Sequence, residues 1–205
     1  LWTDRPGEAS AQLTVEHLVE IRERVAAELD GRVLDLAAVR LAAFERTLEE
    51  AGLPDPDLAA RLTAIYFEDR RRGVPLFPDT RQAVERLADR RRLAVVSNGN
   101  LRPAESGLGD LIRVWVSAAA VGAAKPDPAV FRIALRRLHT AAEGAVMVGD
   151  SLHHDIAGAR RAGVRSVWLN RAAIVNDTGI DPDAEIGSLE ELPALLAEWE
   201  PGSIG

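Results

Sequence analysis

Two carboxylates, Asp150 and Asp155, are the first residues here whose type and spacing suggest chemistry. The run Val146-Met147-Val148-Gly149-Asp150-Ser151 is short, apolar and closed by Gly-Asp-Ser, with Asp155 four residues after Ser151. Such a run predicts a buried strand that delivers Asp150 to its C-terminal tip, the end of a parallel sheet where ligands bind. Two carboxylates on one loop suit a hard divalent cation such as Mg²⁺. A Gly-Asp pair alone is a weak signal. The second acid, followed by the helix-like stretch Ile156-Ala157-Gly158-Ala159-Arg160-Arg161-Ala162-Gly163, makes it a stronger one.

Two more polar sites lie at strand ends or helix starts. Leu93-Ala94-Val95-Val96 runs into Ser97-Asn98-Gly99-Asn100, placing a hydroxyl and an amide at the end of a second apolar strand. Gly122-Ala123-Ala124-Lys125-Pro126-Asp127-Pro128 sets one lysine before a helix start, with Asp127 at the N-cap and Pro128 at the first helical position. Taken singly, a serine after a strand is usually a turn former and a lysine before proline is usually solvated. The ordered set of hydroxyl, lysine and acidic pair carries the argument.

That ordered set is similar to motifs II, III and IV of the haloacid dehalogenase-like superfamily, whose members are mostly phosphatases. The resemblance covers nearly the whole chain. It implies an α/β fold, a Rossmann-like parallel sheet flanked by helices, with a small all-α cap domain inserted between motifs I and II. It also implies roles. Ser97 and Asn98 would bind a phosphoryl oxygen, and Lys125 would offset charge on the nucleophile and phosphoryl group. Asp150 would ligate Mg²⁺, and Asp155 would bind the metal or orient a metal water and Lys125. The substrate would be a small phosphorylated metabolite, hydrolysed through an aspartyl-phosphate.

The family's nucleophile sits in a motif of the form Asp-x-Asp-Gly-Thr at the end of the first strand, and no such motif occurs in these residues. The chain opens Leu1-Trp2-Thr3-Asp4, as if immediately after that threonine. The expectation is therefore an upstream strand carrying motif I. Without it, two buried ladders would lose a partner, and the chain as written should not turn over.

The rest of the sequence is consistent with this scheme. A chain of 205 residues can bury one good core and a small accessory domain. Its 47% hydrophobic content is ordinary for a globular protein, and no apolar run is long enough to span a bilayer. The absence of cysteine rules out disulfides and thiolate metal sites and fits a cytoplasmic protein. A net charge of −7 argues against a general nucleic-acid binder. The clusters Arg70-Arg71-Arg72 and Arg90-Arg91-Arg92 read as solvated helix ends. His153 and His154 read as exposed loop residues at the rim of the site, and His17 and His139 as helix-surface residues.

Residues from about Ser10 to Arg72 carry only helical periodicity, with Thr14, Asp35 and Asp57 as candidate N-caps. From Val74 onward short apolar runs alternate with amphipathic helices. Asp79 is placed to cap one helix. Strands are expected at 114–116, 145–147 and 166–169, and Ser188 and Glu191 form a capping box for a last helix. The predicted division is a helical cap over 8–72 and a core over 73–205 that also includes Leu1–Gly7 and the missing upstream strand. Pro- and Gly-containing hinges fall at Thr3–Ser10 and Arg70–Pro78. Trp2 could line the cap–core cleft or pack the hinge. A 2-haloacid dehalogenase of the same superfamily, which uses no metal and typically replaces the acid at the Asp150 position, is the enzymatic alternative. A non-catalytic binding module is the other.

Overall fold

The computed structural model describes residues 14–29, 36–71, 73, 75–99 and 102–200, and the chain divides into two compact units, Leu1–Gly73 and Val74–Gly205. Trp2, the Thr3–Ser10 hinge and Asp35 lie outside the described residues.

The first unit contains α1 (Val15–Leu29), α2 (Leu36–Glu50) and α3 (Pro56–Arg71). Thr14 caps α1, its hydroxyl oxygen accepting from the His17 N–H at 3.2 Å. Ile21 and Val25, one turn apart, pack on Ala43 of α2. Leu18 and Val19, which share the helical pattern, are 36% and 38% exposed, so the buried stripe runs to one side of them. The cap of α3 is Asp55 rather than Asp57: Asp55 Oδ1 accepts from the Leu58 N–H at 2.9 Å. Pro56 is the first helical residue, which places Asp55 at the N-cap and Asp57 inside the first turn. Arg40 of α2 lies 4.0 Å over the Tyr66 ring of α3 and donates to its hydroxyl, tying those two helices together.

In the second unit helices and strands alternate: α4 (Thr80–Ala88), β1 (Ala94–Ser97), β2 (Val114–Ser117), α5 (Ala118–Val121), α6 (Pro128–Leu138), β3 (Val146–Gly149), α7 (Ala157–Arg161), β4 (Arg165–Leu169), β5 (Ala184–Ile186) and α8 (Leu192–Glu198). All pairings are parallel. β1 pairs with β2 from Ala94↔Val114 to Ser97↔Ser117, and β3, β4 and β5 form a second sheet in that order. β3 extends to Gly149, two residues past the expected strand end, and so reaches the acidic loop directly. β5 was not expected, because Ala-Glu-Ile is too short and too polar to announce a strand.

Apolar clusters lie on both faces of β4. Val167 packs with Leu87 of α4 and with Leu192 and Leu196 of α8, whereas Trp168 packs with Leu152 and Ile156. Burial on both faces is the reason Val167, Trp168 and Leu169 follow one another without a polar residue between them. A third cluster joins Val116 of β2, Val130 and Phe131 of α6, and Ala159 of α7. The α6 start behaves as its sequence predicts, with Asp127 Oδ1 accepting from the Ala129 N–H at 2.8 Å ahead of Pro128. The Ser188–Glu191 capping box is also formed. Asp79 departs from expectation. It stands at the N-cap of α4 but makes no capping bond there. Its carboxylate instead takes both arms of Arg171 at 2.8 and 2.9 Å, the Ser188 hydroxyl at 2.8 Å and the Leu189 N–H at 2.9 Å. The Arg171 hydrogen bonds, helped by Leu189 and Ser188 and opposed by burial, hold Asp79 well below the usual carboxylate range. Among the described residues, no helix is long and apolar enough to cross a membrane.

Candidate active site

The candidate residues stand at the C-terminal ends of β1 and β3 and in the segment between α5 and α6. Ser97 is the last residue of β1, and its Oγ accepts from the Gly99 N–H at 2.8 Å, which folds the following turn. A hydroxyl that accepts there still has one proton to give. Asn98 reaches across to the lysine segment with both ends of its amide. Its Nδ2 donates to the Lys125 carbonyl at 3.0 Å, and its Oδ1 accepts from the Lys125 N–H at 2.8 Å. Asn98 thus fixes the Lys125 backbone to the end of β1. The Lys125–Pro126 peptide is cis.

The Lys125 side chain turns toward the acidic loop. Its Nζ donates to Asp155 Oδ1 at 2.6 Å, with the two side chains only 13% and 4% exposed. An ammonium has three donors, so two remain for a guest. The second oxygen of Asp155 accepts from the Ser151 N–H at 3.1 Å. Asp155 is thereby clasped from both sides, and its carboxyl fills the space beside Gly149. A Cβ at Gly149 would lie 2.5 Å from Asp155 Cβ and closer still to its Cγ and Oδ2. Gly149 is required for room rather than for an unusual backbone angle.

Between Asp150 and α7 the chain makes one wide turn, Leu152–Ile156, closed by the Ile156 N–H on the Ser151 carbonyl at 3.2 Å. This turn buries Leu152, Asp155 and Ile156 and exposes His153 and His154. His154 Nδ1 lies 3.0 Å from Ser151 Oγ, so this histidine closes its own turn. Asp150, at the tip of β3, is exposed. Its carbonyl accepts from the indole N–H of Trp168 at 3.0 Å, a contact that residue types and spacing did not announce.

Among the described residues, no three Asp, Glu or His side chains converge into a metal cage. Mg²⁺ does not need one, because it keeps several waters and commonly takes one or two carboxylates. The donor set is of the right kind: a solvent-facing carboxylate on Asp150 beside the buried one on Asp155, all hard oxygen.

With this geometry in view, the comparisons with known proteins place the chain in a family. A model for haloacid dehalogenase-like hydrolases matches residues 6–163, and the chain belongs to that family. Phosphoserine phosphatase of Thermus thermophilus is 39% identical over 164 residues, which cover 76% of this chain and 63% of that enzyme. A crystal structure of a 2-haloacid dehalogenase from Pseudomonas syringae is 39% identical, with a TM-score of 0.71 over 94% of this chain and 84% of that one. The HAD-hydrolase YfnB of Bacillus subtilis, crystallised with magnesium, is 26% identical with a TM-score of 0.76, over 90% and 84% of the respective chains. The chain therefore spans a little under two thirds of the Thermus phosphatase. Its fold is the Rossmann-like α/β fold of that family, parallel strands flanked by helices.

Proposed function

We propose that this hydrolase cleaves small-molecule phosphate monoesters with Mg²⁺ bound at Asp150. The observation that carries this reading is the buried Lys125–Asp155 pair at 2.6 Å, set beside an exposed Asp150 and the Ser97 turn. A phosphoryl group brings about two negative charges, and its transfer depends on positioning and on neutralising that charge. Lys125 meets it with its two remaining N–H donors, held in direction by Asp155 and in position by Asn98. Ser97 donates its hydroxyl proton to a phosphoryl oxygen. At Asp150, bound Mg²⁺ supplies further charge neutralisation on the phosphoryl oxygens. Asp155, with both oxygens already engaged, serves on this reading to orient Lys125 and the acidic loop.

The nucleophilic aspartate, and the aspartyl-phosphate it forms, come on this reading from a strand that this sequence does not include. Among the described residues β1 and β3 each pair on one side only, and these two edges could receive such a strand. On this reading residues 8–72 act as the substrate-selecting cap and 73–205 as the catalytic core, in a cytoplasmic enzyme.

The dehalogenase reading is favoured by the 39% identity to the Pseudomonas enzyme. Charge weighs against it. A 2-haloacid is itself a carboxylate, and a bare, exposed Asp150 would repel it, whereas a Mg²⁺-loaded Asp150 suits a phosphate dianion. The test assays the full-length gene product on a panel of small phosphate monoesters and on 2-chloropropionate, with Mg²⁺ or with chelator. Phosphate release that needs Mg²⁺ and falls at least about 10²-fold in Asp150→Asn is expected, in line with removing one preorganised charge. Metal-independent halide release without phosphatase activity would establish the dehalogenase. Neither activity would leave a binding module.

A further inference from the structure

We propose that Trp168 is a positioning residue for Asp150, acting as the partner of Asp155 in holding a single peptide group. This rests on the reading of Asp150 as the metal-binding carboxylate. The Asp150–Ser151 peptide is held at both ends. Its C=O accepts from the Trp168 indole N–H at 3.0 Å, and its N–H donates to Asp155 Oδ2 at 3.1 Å. A peptide unit is planar and moves as one body. Fixing both ends sets the rotation about the Asp150 Cα–C bond on one side and the Ser151 N–Cα bond on the other.

The need for such a device follows from the lack of side-chain partners. Among the described residues the Asp150 carboxylate makes no hydrogen bond or ion pair that would fix its direction. Its placement therefore depends on the backbone that carries it. On the N-terminal side that backbone is wedged against Asp155 through Gly149. On the C-terminal side it hangs on Trp168. The indole is a rigid support: Trp168 is 4% exposed and packed with Leu152, Ile156 and Ile180. The strand register places it directly opposite Gly149, one residue from its acceptor. Leu152 and Ile156 belong to the turn that carries Asp155, so one side chain braces both halves of the acidic loop. Partners of this kind behind a ligand typically change metal affinity by about 10–100-fold when removed.

Trp168→Phe keeps a ring in the cluster and deletes the N–H. Trp115→Phe is the control, because the Trp115 indole nitrogen is buried without a hydrogen-bond partner and so loses no bond. Mg²⁺ binding is measured by calorimetry on the full chain, together with the thermal midpoint of each metal-free protein. The expected result is a Kd about tenfold weaker in Trp168→Phe and unchanged in Trp115→Phe, with similar metal-free midpoints. Binding lost in Asp150→Asn but unaltered in Trp168→Phe overturns the role of Trp168 alone. Equal binding by parent and Asp150→Asn overturns the metal reading and this inference with it. If Trp168→Phe does not fold, the assigned indole proton resonances of the parent decide. That of Trp168 should shift on Mg²⁺ addition while that of Trp115 stays, and an unmoved Trp168 resonance refutes the proposal.

Discussion

Replacing Gly149 with alanine tests whether the acidic loop is as tightly closed as its geometry implies. The added Cβ would stand 2.5 Å from Asp155 Cβ, with Cγ and Oδ2 nearer still. Carbon atoms in good contact sit about 3.5–4.0 Å apart, so a shift of about 1 Å is required. Rotating the Asp155 side chain removes Cγ and Oδ2 from the clash but leaves Cβ where it is. The turn Leu152–Ile156 must therefore move as backbone, and Asp155 moves with it away from Lys125 and the Ser151 N–H. Overpacking alone costs about 1–3 kcal/mol, and disrupting a buried charge pair about 3–5 kcal/mol. Because Asp155 is displaced rather than deleted, a combined loss of about 3–5 kcal/mol is the working figure, or roughly 6–20 °C in Tm for a chain of this size. Gly179→Ala provides the contrast: φ is +70° and nothing lies within 4 Å of the new Cβ, so only backbone strain of about 1–2 kcal/mol is added. Thermal unfolding followed by tryptophan fluorescence reads chiefly the relevant unit, since three of the four tryptophans, Trp115, Trp168 and Trp199, fall within Val74–Gly205. Gly149→Ala as stable as Gly179→Ala, or more so, refutes the tight closure.

Lys125→Ala in the full-length product should lower turnover by about 10²-fold or more, the scale of losing one preorganised charge-stabilising group. Lys125→Arg should fail substantially as well, because a planar guanidinium does not replace a compact ammonium in the 2.6 Å seat on Asp155. Arg132→Ala, an exposed position on α6, should leave kcat and KM near the parent values, and near-parent activity in Lys125→Ala would remove the lysine from the site. Asp79→Asn should lower Tm by about 5 °C at pH 7, from about 2 kcal/mol in lost charged hydrogen bonds. The folded-state pKa of Asp79 is depressed, so its stabilisation is complete above the unfolded value near 4 and fades as pH falls through and below it. The difference in Tm between parent and variant should therefore shrink steadily below about pH 4. A constant difference between pH 7 and pH 3 would contradict the assigned pairing.

Much of the fold was legible because its signals are local. Strand-length apolar runs gave β1, β2, β3 and β4, and Asp127-Pro128 and Ser188 with Glu191 gave two helix starts that the structure reproduces. The errors have equally local causes. The apolar spacing that follows Asp57 points to it as the cap of α3, whereas Pro56 at the first helical position puts the cap at Asp55. β5 carries too few residues to register as a strand. The candidate residues were found as motifs, but their couplings were not, since a motif names residues and says nothing of partners far along the chain. The pair of Asn98–Lys125 hydrogen bonds spans 27 positions, Lys125–Asp155 spans 30 and Asp79–Arg171 spans 92.

Two distant contacts, Trp168 on Asp150 and Arg171 on Asp79, meet on one stretch of chain, β4 and the residues just past it. β4 contributes no side chain to the proposed chemistry, yet Trp168 braces the Asp150 peptide on one face of the strand while Val167 packs into the α4–α8 cluster on the other. Just past the strand, Arg171 grips Asp79 at the start of α4. Asp79 in turn accepts from Ser188 and Leu189 at the turn that leads into α8. A buried carboxylate that gathers donors from Arg171, Ser188, Leu189 and, at 3.4 Å, Thr80 is a costly arrangement unless they stay in place. The network therefore resists any slide of β4 relative to α4 and α8. Because Trp168 lies three residues before Arg171 on the same stretch of chain, resistance to that slide is also resistance to moving the indole away from Asp150. Damage to the Asp79 cluster should accordingly reach the acidic loop through β4.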